Sequence, residues 1–428
     1  MKKKTKPLRG GMSAFIAALL IICASFNELR ANETFNFEGV YYRIISNTEN
    51  FVAEVVSPPK GRDAYKGEVI IVDSVKQGSK KYPVTRIGEG AFSGCVEVTG
   101  IKMPNTIKEL DINAFRSCIA LENITLPEQL KIINDNVFNG CKALKTITIP
   151  EDVIYIGNHA FAYCQNLQEL IIPDKVESIE EYAFAYCSSL EKIRLGKDVN
   201  EIGINMAIKE LPLVWYKCDN LKSIVVDDSN PWYSSYHGSL YNKEQNLLLC
   251  IPPGLESVDF SPFATTISNY AGAYNENIVS LVIPDQINFV KTYAFKDFAS
   301  IKNIVLGKGM ERIDNFAFIS NYATPEKIIS LNPVPPYIAN KSSFSDKTYL
   351  NTILYVPKES IDLYKTSPIW HIFKNIRSLE ESGIDGIVNT EESPKSVYTI
   401  QGIKVADPSN LQPGLYIING KKTLIKNN

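Results

Sequence analysis

Apolar residues recur along most of this chain in a pattern that repeats every 23 residues. One unit reads Leu-x-x-Ile-x-Leu-Pro-x-x-Leu-x-x-Ile-x-x-x-Ala-Phe-x-x-Cys, as in residues 121–141, where Val137 fills the alanine slot. The Leu-x-x-Ile-x-Leu segment predicts a short strand, and the fixed apolar slots are expected to point inward. A single unit cannot bury these slots, but stacked units can, so the pattern predicts a solenoid of coils.

The repeat occupies two arrays that differ in phase. In the first array, the last slot of each unit holds a cysteine: Cys95, Cys118, Cys141, Cys164 and Cys187. Cys218 then comes eight residues late, and the pattern is lost over residues 227–262. The period restarts with alanines in their slot at Ala271, Ala294 and Ala317. Because the last slot now holds Asn275, Phe298 and Asn321, cysteine is favoured there but not required.

Composition shifts divide the chain into seven segments. We predict a signal peptide (1–31), an N-terminal β-rich cap (32–83), the first array (84–226), a hairpin-like insertion (227–262), the second array with a closing segment (263–380), a linker (381–396) and a C-terminal β segment (397–428). The cap is expected because the first coil would otherwise expose an apolar end and an unpaired strand edge.

The N-terminus has the pattern of an export signal. Several basic residues precede an apolar stretch from Met12 to Ala24 that is too short to span a bilayer, and no transmembrane segment is expected in the mature chain. Cleavage after Ala31 or nearer Ser25 would both fit. Cys23 offers lipidation as an alternative, although Ile22 is not the small residue that a lipoprotein signal has before its cysteine.

The unit from Leu121 to Cys141 resembles the 23-residue leucine-rich repeat of BspA-like (Treponema pallidum-type) proteins, and the resemblance covers residues 84–378. It implies a β-rich leucine-rich-repeat solenoid of right-handed, curved, stacked coils, for which we expect β caps at both ends. It also implies a surface or secreted protein that binds other molecules, which in some relatives are host extracellular matrix proteins. The tail, including Val397-Tyr398 and Leu415-Tyr416-Ile417, resembles the C-terminal sorting segment of secreted Bacteroidetes proteins and implies type IX export.

Charge and residue usage exclude several classes of function. The net charge of −2 and the pI of about 6.1 leave no basic surface for nucleic acid. The three histidines, His159, His237 and His371, lie far apart, and no nucleophile, base and orienting residue recur together. We therefore predict neither catalysis nor a metal or cofactor.

The cysteines admit two interpretations. An exported protein could link neighbouring coils with a ladder of disulfides. However, equivalent slots on successive coils point in parallel, whereas a disulfide needs a dihedral angle near 90°. We predict a column of buried, free thiols. A straight column also cannot converge four ligands on a zinc ion.

Two surfaces are candidates for binding. The first is the outward column of the predicted strands, whose residues are Lys102, Thr125, Thr148, Ile171, Arg194 and Val225, with Val282 and Val305 in later coils. The aliphatic members could form a recognition stripe or simply reflect β propensity. The second is the aromatic island of Trp232, Tyr233 and Tyr236, which could anchor a ligand or pack over the discontinuity in the core.

These observations predict an exported protein that binds a protein or glycan without catalysing a reaction. The alternative is a structural component of the cell envelope that has no discrete ligand. The oligomeric state and the ligand are not encoded in any motif of the chain.

Overall fold

We describe the chain from a computed structural model, which defines residues 34–46, 51–59, 61–203, 211–382, 397–399, 414–418 and 421–425. The predicted signal peptide and residues 383–396 of the predicted linker lie outside these residues. The described chain is a solenoid in which each coil has three sides. We call them the strand face, the second strand column and the turn face.

The strand face is built from the Leu-x-x-Ile-x-Leu segments, which pair in parallel with their neighbours. It forms three sheets, comprising Lys66–Ile70, Glu97–Lys102 and Asn123–Ile124; Glu169–Ile171, Lys192–Leu195 and Ser223–Val226; and Ser280–Ile283, Asn303–Leu306, Lys327–Ser330, Ile353–Val356 and Asn375–Ser378. The register places like slots side by side, so that Ile171 lies beside Arg194. Along these strands, buried and exposed residues alternate as the sequence pattern predicts.

The second strand column contains the x-x-Ile segments of each coil. In the first array its parallel strands are Lys80–Ile87, Glu109–Leu110, Ile132–Ile133, Tyr155–Ile156, Ser178–Ile179 and Glu201–Ile202. In the second array they are Thr266–Ile267, Phe289–Val290, Arg312–Ile313 and Tyr337–Ile338. Most of these strands are only two residues long, because the chain turns sharply on either side of them.

The turn face carries the Ala-Phe-x-x-Cys segments, which form turns rather than strands. Backbone hydrogen bonds still join successive coils here, and the amide of Phe138 donates to the Ala160 oxygen over 2.8 Å. Each turn contains residues with positive φ, such as Asn136 at 57° and Gly140 at 81°. The three sides together satisfy backbone groups that would otherwise be buried without partners.

Antiparallel strands lie at both ends and between the arrays. At the N-terminal end, Thr34–Phe37, Val40–Ser46 and Phe51–Val55 form a meander that continues into Lys80–Ile87, to which Ser74–Gln77 also pairs. Between the arrays, Tyr233–Tyr236 and Ser239–Asn242 form a hairpin, and Leu247–Cys250 joins it to the second strand column. Near the C-terminus, Val397–Thr399, Gly414–Ile418 and Lys421–Ile425 form a three-stranded antiparallel sheet. That the end sheets act as caps stays a prediction.

Two short helices accompany the last coils. Helix α1 (Asp346–Asn351) begins at Ser345, whose side chain accepts from the Thr348 amide, and helix α2 (Ile361–Thr366) follows strand Ile353–Val356. Buried Trp370 follows α2, and its indole N–H donates to the Pro336 oxygen over 2.7 Å. These bulky residues fill the end of the second core.

Stacked phenylalanines form the centre of the first array. The rings of Phe92, Phe115, Phe138, Phe161 and Phe184 are buried, and successive centroids are 5.2 to 5.7 Å apart with small interplanar angles. The Ala, Ile and Leu slots are buried around them. The prediction of a β-rich leucine-rich-repeat solenoid is therefore confirmed.

All seven cysteines in the described residues are buried, and none of them forms a disulfide. Each of five thiols donates to the oxygen of the phenylalanine in the preceding coil, with Sγ–O distances of 3.0 to 3.3 Å. The disulfide ladder considered above is absent from them, and a column of hydrogen-bonded thiols takes its place. In the second array, the Asn275 amide performs the same task by donating to Pro253 and Leu255 oxygens.

Replacing Phe138 with alanine should lower the free energy of unfolding by about 3–5 kcal/mol, because it removes a buried ring from the middle of the stack. Chemical denaturation followed by circular dichroism measures this. Phe289→Ala is the control, since that ring is 38% exposed and its loss should change stability by about 0.5 kcal/mol or less. Equal losses in both variants would contradict the inward stack.

The thiols should be unreactive in the folded protein and reactive after unfolding. Burial raises the pKa of Cys118 and of Cys250 to about 12 and that of Cys141 well above its usual value, so the reactive thiolate is scarce at neutral pH. We expect that a thiol reagent does not modify these cysteines in the native protein. In denaturant without reductant, it should modify most of the seven. Two or fewer free thiols in denaturant would restore the disulfide interpretation.

Candidate functional site

Five of the six predicted strand-face residues are exposed in a single row. Lys102, Thr125, Thr148, Ile171 and Arg194 all point to solvent, and Ile171 is 65% exposed despite its apolar side chain. Val225 is half-buried. The row follows from the repeat, because the alternation along each strand sends the slot between two inward residues outward.

The two cations in this row are paired with acids on adjacent segments. Lys102 Nζ lies 2.9 Å from Glu68 Oε2, and Arg194 Nη2 lies 3.1 Å from Asp227 Oδ2. Exposed pairs of this kind contribute little to stability. They orient the long side chains and leave the row nearly neutral.

A recess opens on the strand face where its sheet is interrupted. Residues 143–150 form no strand, and within the described chain no strand pairing joins them to the coil before or after. A cavity of about 760 Å³ lies there, which we call the strand-face recess. Its polar lining comprises Asn123, Thr125, Glu128, Thr146, Thr148, Glu151 and Asp152. Two of the predicted binding residues, Thr125 and Thr148, are therefore brought together.

Asp152, at the rim of the recess, links three consecutive coils. Its two carboxylate oxygens each lie 2.6 Å from a lysine, Lys131 Nζ in the preceding coil and Lys175 Nζ in the following one. Hydrogen bonds from these lysines lower the pKa of Asp152 to about 2. The rim thus keeps a fixed negative charge and two fixed positive charges at physiological pH.

The aliphatic stripe expected in later coils is mostly covered. Val282 is 52% exposed, but Val305 is only 3% exposed. Val305, Ile329 and Tyr355 form a separate buried cluster against which Leu379 packs. The idea that Val305 belongs to an exposed stripe is therefore wrong, because the segment after the last strand folds back over it.

The aromatic island is divided between surface and core. Trp232 is 46% exposed and remains available for contact. Tyr233 is half-buried, its hydroxyl donates to the Asn200 oxygen over 2.9 Å, and burial raises its pKa to about 12. Tyr236 is 5% exposed and packs edge-on against Tyr241, as the packing alternative for the island expects. Packing across the discontinuity is its role.

Sequence reasoning missed a second concave surface, on the turn face. A cavity of about 270 Å³, which we call the turn-face cavity, lies among the side chains of His159, Tyr163, Tyr182, Tyr186, Tyr216 and Tyr274. The signal was available in the residues before each alanine and each cysteine slot, where aromatic residues replace the glycine, asparagine and serine of earlier coils. The hydrophobic period does not draw attention to these slots because they point outward.

Titratable groups do not converge on a reaction centre in the described residues. No cluster of three or more histidine, cysteine, aspartate or glutamate side chains there could hold a metal ion. His237 Nδ1 lies 2.8 Å from Asp259 Oδ2, but both side chains are well exposed. No described helix is both long and apolar enough to cross a bilayer.

Solved structures with the same fold come from bacterial repeat proteins. The pneumococcal vaccine antigen PcpA aligns with a TM-score of 0.57 and 20% identity, over 81% of this chain and 85% of that chain. A leucine-rich repeat protein from Bacteroides ovatus aligns with a TM-score of 0.50 and 22% identity, over 77% of this chain and 80% of that chain. Comparison with curated proteins gives no significant match.

The family model of the BspA type leucine rich repeat region matches in six copies, over residues 85–207 and 250–384. These ranges cover more than half of the chain and contain the second array and most of the first. The gap between them falls on the break in period and on the hairpin. This chain belongs to the BspA-type leucine-rich repeat family.

Proposed function

We propose that this chain is an exported, cell-surface or secreted protein that binds a protein partner through the strand face of its first array, without catalysis. The observation that carries the proposal is the strand-face recess, which joins Thr125 and Thr148 in one concave polar surface. The N-terminal export pattern and the resemblance of the tail to a sorting segment support the location.

The chemistry of the recess favours protein over glycan. Threonine hydroxyls at Thr125, Thr146 and Thr148 can both donate and accept hydrogen bonds, as the backbone of an extended polypeptide requires. No aromatic ring is among the recess-lining residues of the described coils, so a sugar would find no stacking surface there. Exposed Ile171, in the next coil, offers an apolar anchor beside the polar groups.

The fold makes this surface rigid before binding. The coils on both sides of the recess are fixed by the second strand column and the turn face, and the lysine pairs of Asp152 hold its rim. A partner therefore orders few side chains on this protein when it binds, which lowers the entropic cost of association.

A screen of residues 32–428 against fibronectin, laminin, fibrinogen and collagen by biolayer interferometry tests the proposal. We expect at least one of them to bind, and Thr148→Arg to weaken that binding about tenfold or more, because a long charged side chain would fill the recess. Val282→Arg is the matched control, since Val282 occupies the same slot in the second array and is 52% exposed. It should change affinity by about twofold or less.

Three results would overturn the proposal. Absence of binding to every protein of the panel would favour a structural envelope component. Equal effects of Thr148→Arg and Val282→Arg would move the site away from the recess. A glycan whose binding is lost with Thr148→Arg would replace the protein partner by a sugar.

A further inference from the structure

The turn face carries aromatic residues at two outward slots of successive coils. The first slot precedes the alanine and the second precedes the cysteine; the aromatic members that stack there are His159, Tyr163, Tyr182, Tyr186, Tyr270, Tyr293 and Phe316. All seven have positive φ, between 54° and 61°. Earlier coils fill the same slots with Gly90, Gly94, Asn113, Ser117, Asn136 and Gly140.

Bulky residues are unfavourable in this backbone conformation. Glycine and asparagine adopt positive φ readily, whereas a tyrosine side chain meets steric conflict there. Stacking alone does not require these slots, because the buried phenylalanine column already stacks neighbouring coils with rings that lie inside. Strained residues that persist on a surface point to a use for their side chains.

The rings form two stacked pairs and a perpendicular wall. Tyr163 and Tyr186 stack with centroids 4.4 Å apart and planes at 6°, and His159 and Tyr182 stack at 4.9 Å and 15°. Tyr216, which follows the eight-residue insertion, stands at 86° to Tyr182 and at 87° to Tyr186. The turn-face cavity lies between these rings and Tyr274, itself at 88° to Tyr216.

The size of the cavity fits a small ring. Its volume is about 270 Å³. That is the scale of one sugar ring with its hydroxyls, and it is too small for a folded protein segment. Tyr163, the most open of the lining tyrosines, is 38% exposed, so the cavity can be reached from solvent.

The lining is neutral and amphipathic. No aspartate, glutamate, lysine or arginine is among the described residues that line it. Burial lowers the pKa of His159 and raises the pKa of Tyr216, so both are uncharged at neutral pH. Of the cations nearby, Lys217 pairs with Glu276, Lys296 donates to the hydroxyl of the lining residue Tyr274 over 2.9 Å, and the charge of Arg116 acts on His159. Aromatic faces beside phenol hydroxyls match a ligand with a C–H face and a hydroxyl edge.

We propose that the turn-face cavity binds a neutral pyranose unit of a glycan, which stacks on the tyrosine rings and hydrogen-bonds to their hydroxyls. The partially negative faces of the rings attract the polarised C–H groups of the sugar. No lysine or arginine is among the described residues that line the cavity, so the lining itself offers no cation to pair with an anionic sugar. This site lies on a different side of the coil from the strand-face recess, so either one can fail without the other.

Isothermal titration calorimetry of residues 32–428 with maltohexaose, cellohexaose, laminarihexaose, chitohexaose and mannohexaose tests this proposal. We expect at least one to bind, and the double variant Tyr163→Gly/Tyr186→Gly to weaken it about tenfold or more. Glycine preserves the turns, since the chain itself has Gly94 and Gly140 in this slot. If the double variant does not fold, Tyr163→Gly alone replaces it in the test, and we expect a smaller loss of oligosaccharide affinity.

The matched control is Tyr270→Asn/Tyr293→Asn. These rings also stack at positive φ, with centroids 4.9 Å apart, but they do not line the cavity. Their loss should change affinity by about twofold or less. The proposal is overturned if no oligosaccharide binds, if both double variants lose affinity equally, or if a hexamer of galacturonic acid binds more tightly than every neutral one. A folded Tyr163→Gly variant with unchanged affinity would also overturn it.

Discussion

Backbone hydrogen bonding between coils is the constraint on which the rest of this structure depends. Pairing fixes neighbouring coils about 4.8 Å apart, so every slot of the unit lies against its own copy in the next coil. A residue type that packs well against itself can therefore recur in one slot over many coils. The phenylalanine rings respond by stacking at 5.2 to 5.7 Å, slightly offset from the coil spacing. Charged side chains meet the same constraint by alternating in sign along the axis, as Asp152 and Lys175 do in one slot of successive coils.

The cysteine slot illustrates how self-packing and polar satisfaction combine. A thiol is small enough to repeat at every coil, and its S–H donates a second hydrogen bond to the phenylalanine oxygen of the preceding coil, which also accepts from the amide of the cysteine in that coil. Alanine would fit the slot but could not donate a hydrogen bond. Serine could donate one, but its hydroxyl costs more free energy to bury than a thiol does. Where the arrays change phase, Asn275 donates to two oxygens at once and accepts from the Asn277 and Ile278 amides. A compact donor therefore suits the slot in the first array and at Asn275, whereas Phe298 fills the same slot with an apolar ring.

The repeat predicts the inward residues well because burial in a solenoid is decided locally, by position within the coil. It fails where segments distant in sequence meet. Val305 lies in a slot that the strand alternation predicts to be exposed, but Leu379 covers it. Tyr236 is of a residue type that often anchors ligands at surfaces, but it is buried between the two arrays. The sequence also does not predict that the strand is missing at residues 145–149, since Thr146, Ile147 and Thr148 alternate between polar and apolar as in an ordinary strand. The stacking of the aromatic residues on the turn face could not be predicted either, because the hydrophobic period does not reveal which slots have positive φ and point outward.

The interruption of the strand face also has a mechanical meaning. In most of the first array, a force along the solenoid axis is carried by three parallel rows of hydrogen bonds, one on each side of the coil. At residues 145–149 the strand face has no strand pairing and contributes the single bond from the Gln168 amide to the Lys145 oxygen, so most of the load falls on the second strand column and the turn face. The strand face therefore transmits less of such a force at this coil than it does elsewhere in the first array. A ligand that contacts both Thr125 and Thr148 would connect two coils at the place where the strand face lacks strand pairing.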